Sequence, residues 1–419
     1  MRVARLPALA AVVAATMLPP APSQAVASAA LDSVLCDAVG EEVVTTSDPS
    51  APLERLRIPE AHELLGGPAR AGAGVNVAVL DSGVSRAGGR VRVVDGTTVG
   101  AGGEIQDPHG TAVASLIAGQ PRADGGLVGI APAAGIVDVR VYDTLDPESL
   151  DGELLTAGSV AEGLRWVAEQ ADQLDIRIAN VSLSVGPDDE LAAAVRAART
   201  AGVLVVAETG NRGATGPMEA FPSAAPGEDV AGAVFPAGYL DDVIAVNATV
   251  GGADAGSDPQ VNVGASSATD VAAPTYGAVV VAVNGSTCTL QDVNTSWAAA
   301  EVSGVLALLM SRYPDDNSAQ TMARLLGTAS GTLDDPTRLT GVGVVQPLEA
   351  LTRPLRPGED GAFAQTRSAR DENPRARAPE PEVDTLASLR RTALWFSIPG
   401  GAALLLALML RPVLARRRD

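Results

Sequence analysis

The chain has 419 residues and a formal charge of −20, and all of its basic residues are arginine, a balance that argues against nucleic acid as a partner. Hydrophobic residues make up 46% and aromatic residues only 3%, so the core must be built from Ala, Val and Leu. His62 and His109 are the only histidines and Cys36 and Cys288 the only cysteines, which allows one disulfide and excludes a cysteine-rich metal site.

Residues 1–29 read as an export signal. Arg2 and Arg5 give the charged start, Leu6 to Leu18 the apolar run, and Ala25 to Ala29 a small-residue cleavage region. A mature protein outside the cytoplasm can keep a disulfide, and Cys36–Cys288 is the internal pair available. Residues 30–51 form an N-terminal extension, short for an independently folding domain. It is expected to stay attached and pack on the domain that begins near Pro52. Leu53 to Leu65 is helix-rich, and His62 within it reads as a structural or surface histidine.

From Val75 the pattern becomes one of strands alternating with helices. Val75 to Leu80 is a continuous apolar run ending in Asp81, and function collects at the C-terminal ends of such buried parallel strands. His109 precedes a helix of small residues in His-Gly-Thr-Ala-Val-Ala, a place where a lone histidine is more often structural than catalytic. Strands are expected at Ile136–Tyr142, Ile176–Ser184 and Val203–Ala207, the last running into Glu208. Helices are expected at Val160–Gln173 and Glu190–Ala201. This order predicts right-handed βαβ units and a mostly parallel sheet. Val243–Val246, Val271–Pro274 and Ala278–Ala282 are later strand candidates.

Asn294 to Met310 begins with small polar residues and continues apolar on nearly every side, the pattern of a helix inside a protein. Ser296 falls in its first turn, where unpaired N–H groups and partial positive charge favour a developing oxyanion. An N-cap serine on an ordinary core helix has the same pattern. Asn317–Ala329 is a further helix, and the domain closes near Leu351.

Residues 352–390 have the Arg, Pro, Glu and Ala composition of a disordered linker. Residues 391–411 are apolar enough to cross a bilayer, and the Arg-rich tail 412–419 would lie in the cytoplasm by the positive-inside rule.

Asp81, His109, Asn211 in Gly-Asn and Ser296 in Thr-Ser-Trp-Ala-Ala occur in that order. Asp, His, Ser is the order of subtilisin. From about Pro52 to Leu351 the chain resembles the subtilisin-like serine proteases, and Ala-Asn180-Val-Ser-Leu carries a further part of the resemblance. Signal, short extension and C-terminal span together resemble a narrower group, the membrane-anchored mycosins of type VII secretion systems.

The resemblance implies a three-layer α/β/α protease domain over 52–351 with a mostly parallel sheet, plus a C-terminal transmembrane helix. It implies a serine endopeptidase with Asp81, His109 and Ser296 catalytic and with Asn211 and the Ser296 N–H as oxyanion donors. Ser182, Leu183, Ser184, Glu208 and Gly210 would bind substrate, with no cofactor and no assigned metal site. Partners would be a polypeptide substrate, the cytoplasmic membrane and subunits of a secretion complex, with the protease domain outside the cytoplasm. A degenerate protease serving as a structural subunit is the competing reading.

Two positions depart from the family pattern. Asn294 stands where Gly usually precedes Thr-Ser, so it is expected to crowd substrate or adopt an unusual dihedral. Ala300-Glu301 stands where Pro usually follows the alanines, which puts a carboxylate in a buried helix. Glu208 is expected either to select a basic side chain at the cleavage site or to pair with Arg212.

Overall fold

The computed structural model describes residues 45–100, 102–146, 148, 152–214, 216–250, 259–363 and 385–415. The export signal, Cys36, residues 30–44 of the extension, residues 364–384 of the linker and residues 416–419 of the tail lie outside the described residues. The chain divides into two units, Met1–Ala364 and Gln365–Asp419.

The first unit is built on seven strands: β1 (Asn76–Asp81), β2 (Val93–Thr98), β3 (Gly135–Arg140), β4 (Ile176–Val181), β5 (Leu204–Glu208), β6 (Ile244–Thr249) and β7 (Val271–Pro274). Their order is β2-β3-β1-β4-β5-β6-β7, and every neighbouring pair is parallel. β1 sits between β3 and β4, where successive connections turn to opposite sides. In open sheets of this kind ligands bind beyond the strand C-termini at such a place. Asp81 is the last residue of β1.

Alternate strand residues feed two cores. Val77, Val79, Ile178, Val206 and Val246 face one, and Ala78, Leu80, Ala179, Val205 and Ala245 face the other. The first core is closed by α3 (His109–Ala118) and α6 (Thr295–Arg312), the second by α4 (Ala157–Gln170) and α5 (Asp189–Thr200). The remaining helices of this unit are α1 (Ala51–Arg55), α2 (Ile58–Leu65), α7 (Ser318–Leu326) and α8 (Pro347–Thr352). This is the expected three-layer α/β/α architecture. On α4, Val160, Leu164 and Val167 recur at helical spacing on the buried face. α6 instead is buried from Thr295 through Met310, which explains why its sequence shows no polar stripe. Each fully buried Val or Leu is worth about 1.5–3 kcal/mol.

β8 (Val279–Val281) and β9 (Thr287–Thr289) form a separate antiparallel hairpin. The described end of the N-terminal extension packs on it: the Thr46 N–H donates to the Thr287 carbonyl and Thr45 pairs with Thr287. Arg122 also donates to the carbonyls of Ser47 and Asp48. His62 is buried, with Nε2 2.7 Å from the Ile130 carbonyl, as a structural histidine should be.

The unit continues past Leu351, where the sequence suggests its end. Arg324 and Gln320 donate to the carbonyls of Leu355 and Pro357, so residues 353–363 are held by α7. In the second unit one helix, α9 (Ala387–Ala415), runs through Pro399-Gly400-Gly401 without a break. Within Ala387–Pro412 its most apolar 18-residue window has mean hydropathy 2.0. The 26 residues of Ala387–Pro412 span about 39 Å at about 1.5 Å each, more than the roughly 30 Å of a bilayer's hydrocarbon core.

Candidate active site

Asp81 and His109 meet because α3 starts against the end of β1. A Cβ on Gly110 would lie 2.6 Å from the Gly83 carbonyl oxygen and 3.0 Å from the Asp81 Cβ, so only glycine permits this approach. His109 Nδ1 lies 2.9 and 3.0 Å from the two Asp81 carboxylate oxygens. An ionised carboxylate only accepts, so Nδ1 carries the proton and Nε2 is left as the basic nitrogen. The Ser82 N–H also donates to Asp81 Oδ1, and the buried Tyr142 hydroxyl reaches Asp81 Oδ1 at 3.4 Å and Asp107 Oδ2 at 3.2 Å. Asp107 in turn accepts the His109 backbone N–H at 2.9 Å.

Burial works against a charged His109 ring. The adjacent Asp81 carboxylate outweighs it, with Asp107 and Glu208 adding, and the imidazole is pushed up to about 9. Tyr142 is raised well above its ordinary value by burial, followed by the Asp81 and Asp107 charges, so it stays a neutral donor.

Ser296 is the second residue of α6, and the Asn294 side chain caps that helix by accepting the Ser296 N–H at 2.8 Å. Asn294 has φ −142° and ψ 131°, ordinary extended backbone, so the unusual dihedral expected for a residue in place of glycine is absent. The Ser296 carbonyl accepts from Ser182 Oγ, whose position is fixed by Asn180 and through it by Ser303. The Trp297 ring lies 4.9 Å from the His109 ring, centroid to centroid, which sets the imidazole beside the start of α6.

Ser296 Oγ lies 2.8 Å from Glu208 Oε2 and 3.1 Å from the Ser182 carbonyl. Among the described residues no hydrogen bond joins it to His109. The Glu208 carboxylate also accepts from Ser184 Oγ, Asn211 Nδ2 and Thr295 Oγ1. It does not pair with Arg212. That guanidinium is spent on Glu228 at 2.6 Å and on the carbonyls of Gln260 and Phe221, which corrects the sequence expectation. Asn211 is held by the Thr295 N–H, which donates to its Oδ1 at 2.7 Å, and its Nδ2 points to Asn294 Oδ1 at 3.0 Å.

His109, Ser182, Leu183, Ser184, Glu208, Asn211, Asn294 and Ser296 line one cleft of about 330 Å³, together with Tyr142 and Leu145. Gly210 is not among the lining residues. Its φ of +103°, and the Met218 and Val234 side chains that a Cβ there would meet, give it a conformational and packing role. Cys288 is disulfide-bonded. Sequence reasoning missed Asp107, Tyr142, Thr295 and Trp297. Asp107 and Trp297 flank His109 and Ser296 in the chain, whereas Tyr142 is announced only by its place just beyond β3.

Glu301 is fully buried on α6, and neither carboxylate oxygen has a hydrogen-bond partner among the described residues. Burial raises it well above the carboxylate range, against a weaker opposing effect of Arg55. This is the outcome expected for a carboxylate without a partner.

A family model of peptidase S8, the subtilase family, matches residues 72–345. The chain belongs to the subtilase family. This subtilase is 31% identical to Mycosin-1 of Mycobacterium tuberculosis over 339 residues, 73% of its own length and 74% of the relative's. It is 32% identical to Mycosin-4 of the same organism over 375 residues, 83% and 78% of the two chains. A solved structure of the MycP3 protease from the type VII (ESX-3) secretion system superposes with TM-score 0.58 at 30% identity, covering 75% of this chain and 91% of that one. The subtilase is thus a subtilisin-like serine protease related to the mycosins.

Proposed function

We propose that this protein is a membrane-anchored serine endopeptidase acting outside the cytoplasm, through Asp81, His109 and Ser296, as part of a type VII secretion system. The observation that carries the reading is the paired contact of the Asp81 carboxylate with His109 Nδ1, in a cleft shared with a serine on a helix N-terminus. Ser296 Oγ attacks the peptide carbonyl carbon while His109 Nε2 takes its proton. The tetrahedral oxyanion accepts hydrogen bonds from Asn211 Nδ2 and the Ser296 N–H. His109 then gives the proton to the leaving amine, and water hydrolyses the acyl-enzyme in the reverse sense. Asp81 holds the imidazole tautomer and offsets its charge. Ser182, Leu183 and Ser184 pair with the extended substrate backbone as an added strand does.

α9 supports the anchor, and the origin of the MycP3 relative in a type VII secretion system supports the link to secretion. By this reading Cys36 is the disulfide partner of Cys288, and segment 1–29 is removed on export. The test is hydrolysis of a peptide library by the detergent-solubilised full chain beside its Ser296→Ala variant. Products from the unmutated chain only are expected; equal products from both overturn the reading. A second role, as a structural subunit with little turnover, is favoured by one observation: the nucleophile's hydrogen goes to Glu208 or Ser182.

A further inference from the structure

Resting on the triad reading above, we propose that Asn294 is an internal occupant of the oxyanion hole, whose side-chain carbonyl oxygen must swing out before a peptide can be attacked. Two donors would stabilise the oxyanion, the Ser296 N–H and Asn211 Nδ2. Both already converge on one atom, Asn294 Oδ1, at 2.8 and 3.0 Å. The amide orientations are fixed by groups that can only donate. The Ser296 N–H demands the oxygen of Asn294, and the Thr295 N–H demands the oxygen of Asn211, turning the Asn211 NH₂ toward Asn294. An sp² oxygen held by these two donors has the placement of a substrate oxygen in the tetrahedral intermediate.

The occupant can leave without refolding. The Asn294 backbone is relaxed, the residue is half-buried, and it lines the cleft, so rotation about its side-chain bonds opens the hole. Glu208 completes the resting arrangement by taking the Ser296 hydroxyl. A glycine at this position would free the Ser296 N–H and the Asn211 N–H that now reaches Asn294, the other Asn211 N–H staying on Glu208. Asn294 thus makes acylation slower by the cost of exchanging two internal hydrogen bonds, about tenfold or more.

The second-order rate of labelling by a fluorophosphonate probe tests this, measured on the full chain in detergent for the unmutated protein and for Asn294→Gly, Asn294→Asp and Ser296→Ala. Asn294→Gly is expected to label at least about tenfold faster. Asn294→Asp keeps an equally good N-cap, so its fold is retained. Its carboxylate binds the same donors more strongly and is expected to slow labelling at least about tenfold. An Asp variant no slower than the unmutated chain overturns the proposal even if the Gly variant does not fold, as does a folded Gly variant no faster. Undiminished labelling of Ser296→Ala overturns the triad reading instead, and this proposal with it.

Discussion

The Ser296 hydroxyl lies 2.8 Å from a Glu208 carboxylate oxygen, and Glu208 is itself almost fully buried. A carboxylate with four side-chain donors around it has little left for a substrate cation. It holds the Ser296 hydroxyl and, through its charge, acts on His109.

That charge sets a pH dependence. In the proposed mechanism His109 has to be neutral to accept the Ser296 proton, and it is pushed up to about 9, with burial opposing and Asp81, Asp107 and Glu208 raising it. The kcat/KM of the unmutated enzyme is expected to climb about tenfold per pH unit until about pH 9. Glu208→Gln removes one raising charge, so its acid limb is expected at lower pH and its relative rate at neutral pH higher. Profiles of the two proteins that superimpose would show that Glu208 does not act on the imidazole. Peptides differing only in carrying Arg, Lys or a neutral residue before the cleaved bond are expected to be cut at similar rates.

Gly110→Ala is expected to separate α3 from β1. The added Cβ meets the Gly83 carbonyl at 2.6 Å, so backbone has to move and the His109–Asp81 contact opens. Overpacking of this kind costs about 1–3 kcal/mol, and misplacing catalytic groups by about 1 Å costs roughly 10² in rate. Thermal melts and kcat on the same preparation check both. Full activity in this variant would show that the close approach is not needed.

Much of this was legible in the residues. The apolar run of β1 ending in Asp81 and the buried character of α6 follow from local patterns, because continuous apolar strands and a helix without a polar face leave clear signals. The part given to His109 came only from the resemblance to the subtilisin-like proteases, since a lone histidine before a helix is by itself more often structural. β2 was not legible: Val-Val-Asp-Gly-Thr-Thr is an exposed edge strand with neither alternation nor a continuous apolar run. The partners of Glu208 were illegible for a different reason. Arg212 is four residues away, but its guanidinium turns to Glu228, and the donors that reach Glu208 arrive from beyond the end of β4, from α6 and from Asn211. Side-chain direction at a strand end is decided by packing, which spacing along the chain does not encode.

Glu301→Met is expected to stabilise the protease unit. The buried carboxyl has no hydrogen-bond partner among the described residues, and removing such a group recovers about 1–3 kcal/mol. Its folded value lies above the unfolded one of roughly 4.3. The protonated carboxyl therefore favours the fold at low pH, and that contribution is lost as pH rises through the folded value. The gain in Tm from Glu301→Met should accordingly be larger at pH 8 than at pH 5. A gain that shrinks with rising pH would contradict a protonated, partnerless Glu301.

A chain ending at residue 363 lacks α9. It is expected to appear in the soluble fraction with unchanged kcat/KM toward small peptides, whereas the full chain sediments with membranes. Membrane association persisting in the shortened chain would take the anchor away from α9.

The central claim is that the Ser296 hydroxyl is made nucleophilic by the His109–Asp81 pair. Mapping the fluorophosphonate adduct by mass spectrometry, in the unmutated chain and in His109→Ala, tests it most directly. One adduct is expected, on Ser296, and it should disappear in His109→Ala. An adduct on another residue, or one on Ser296 that forms equally well without the imidazole, would contradict the claim.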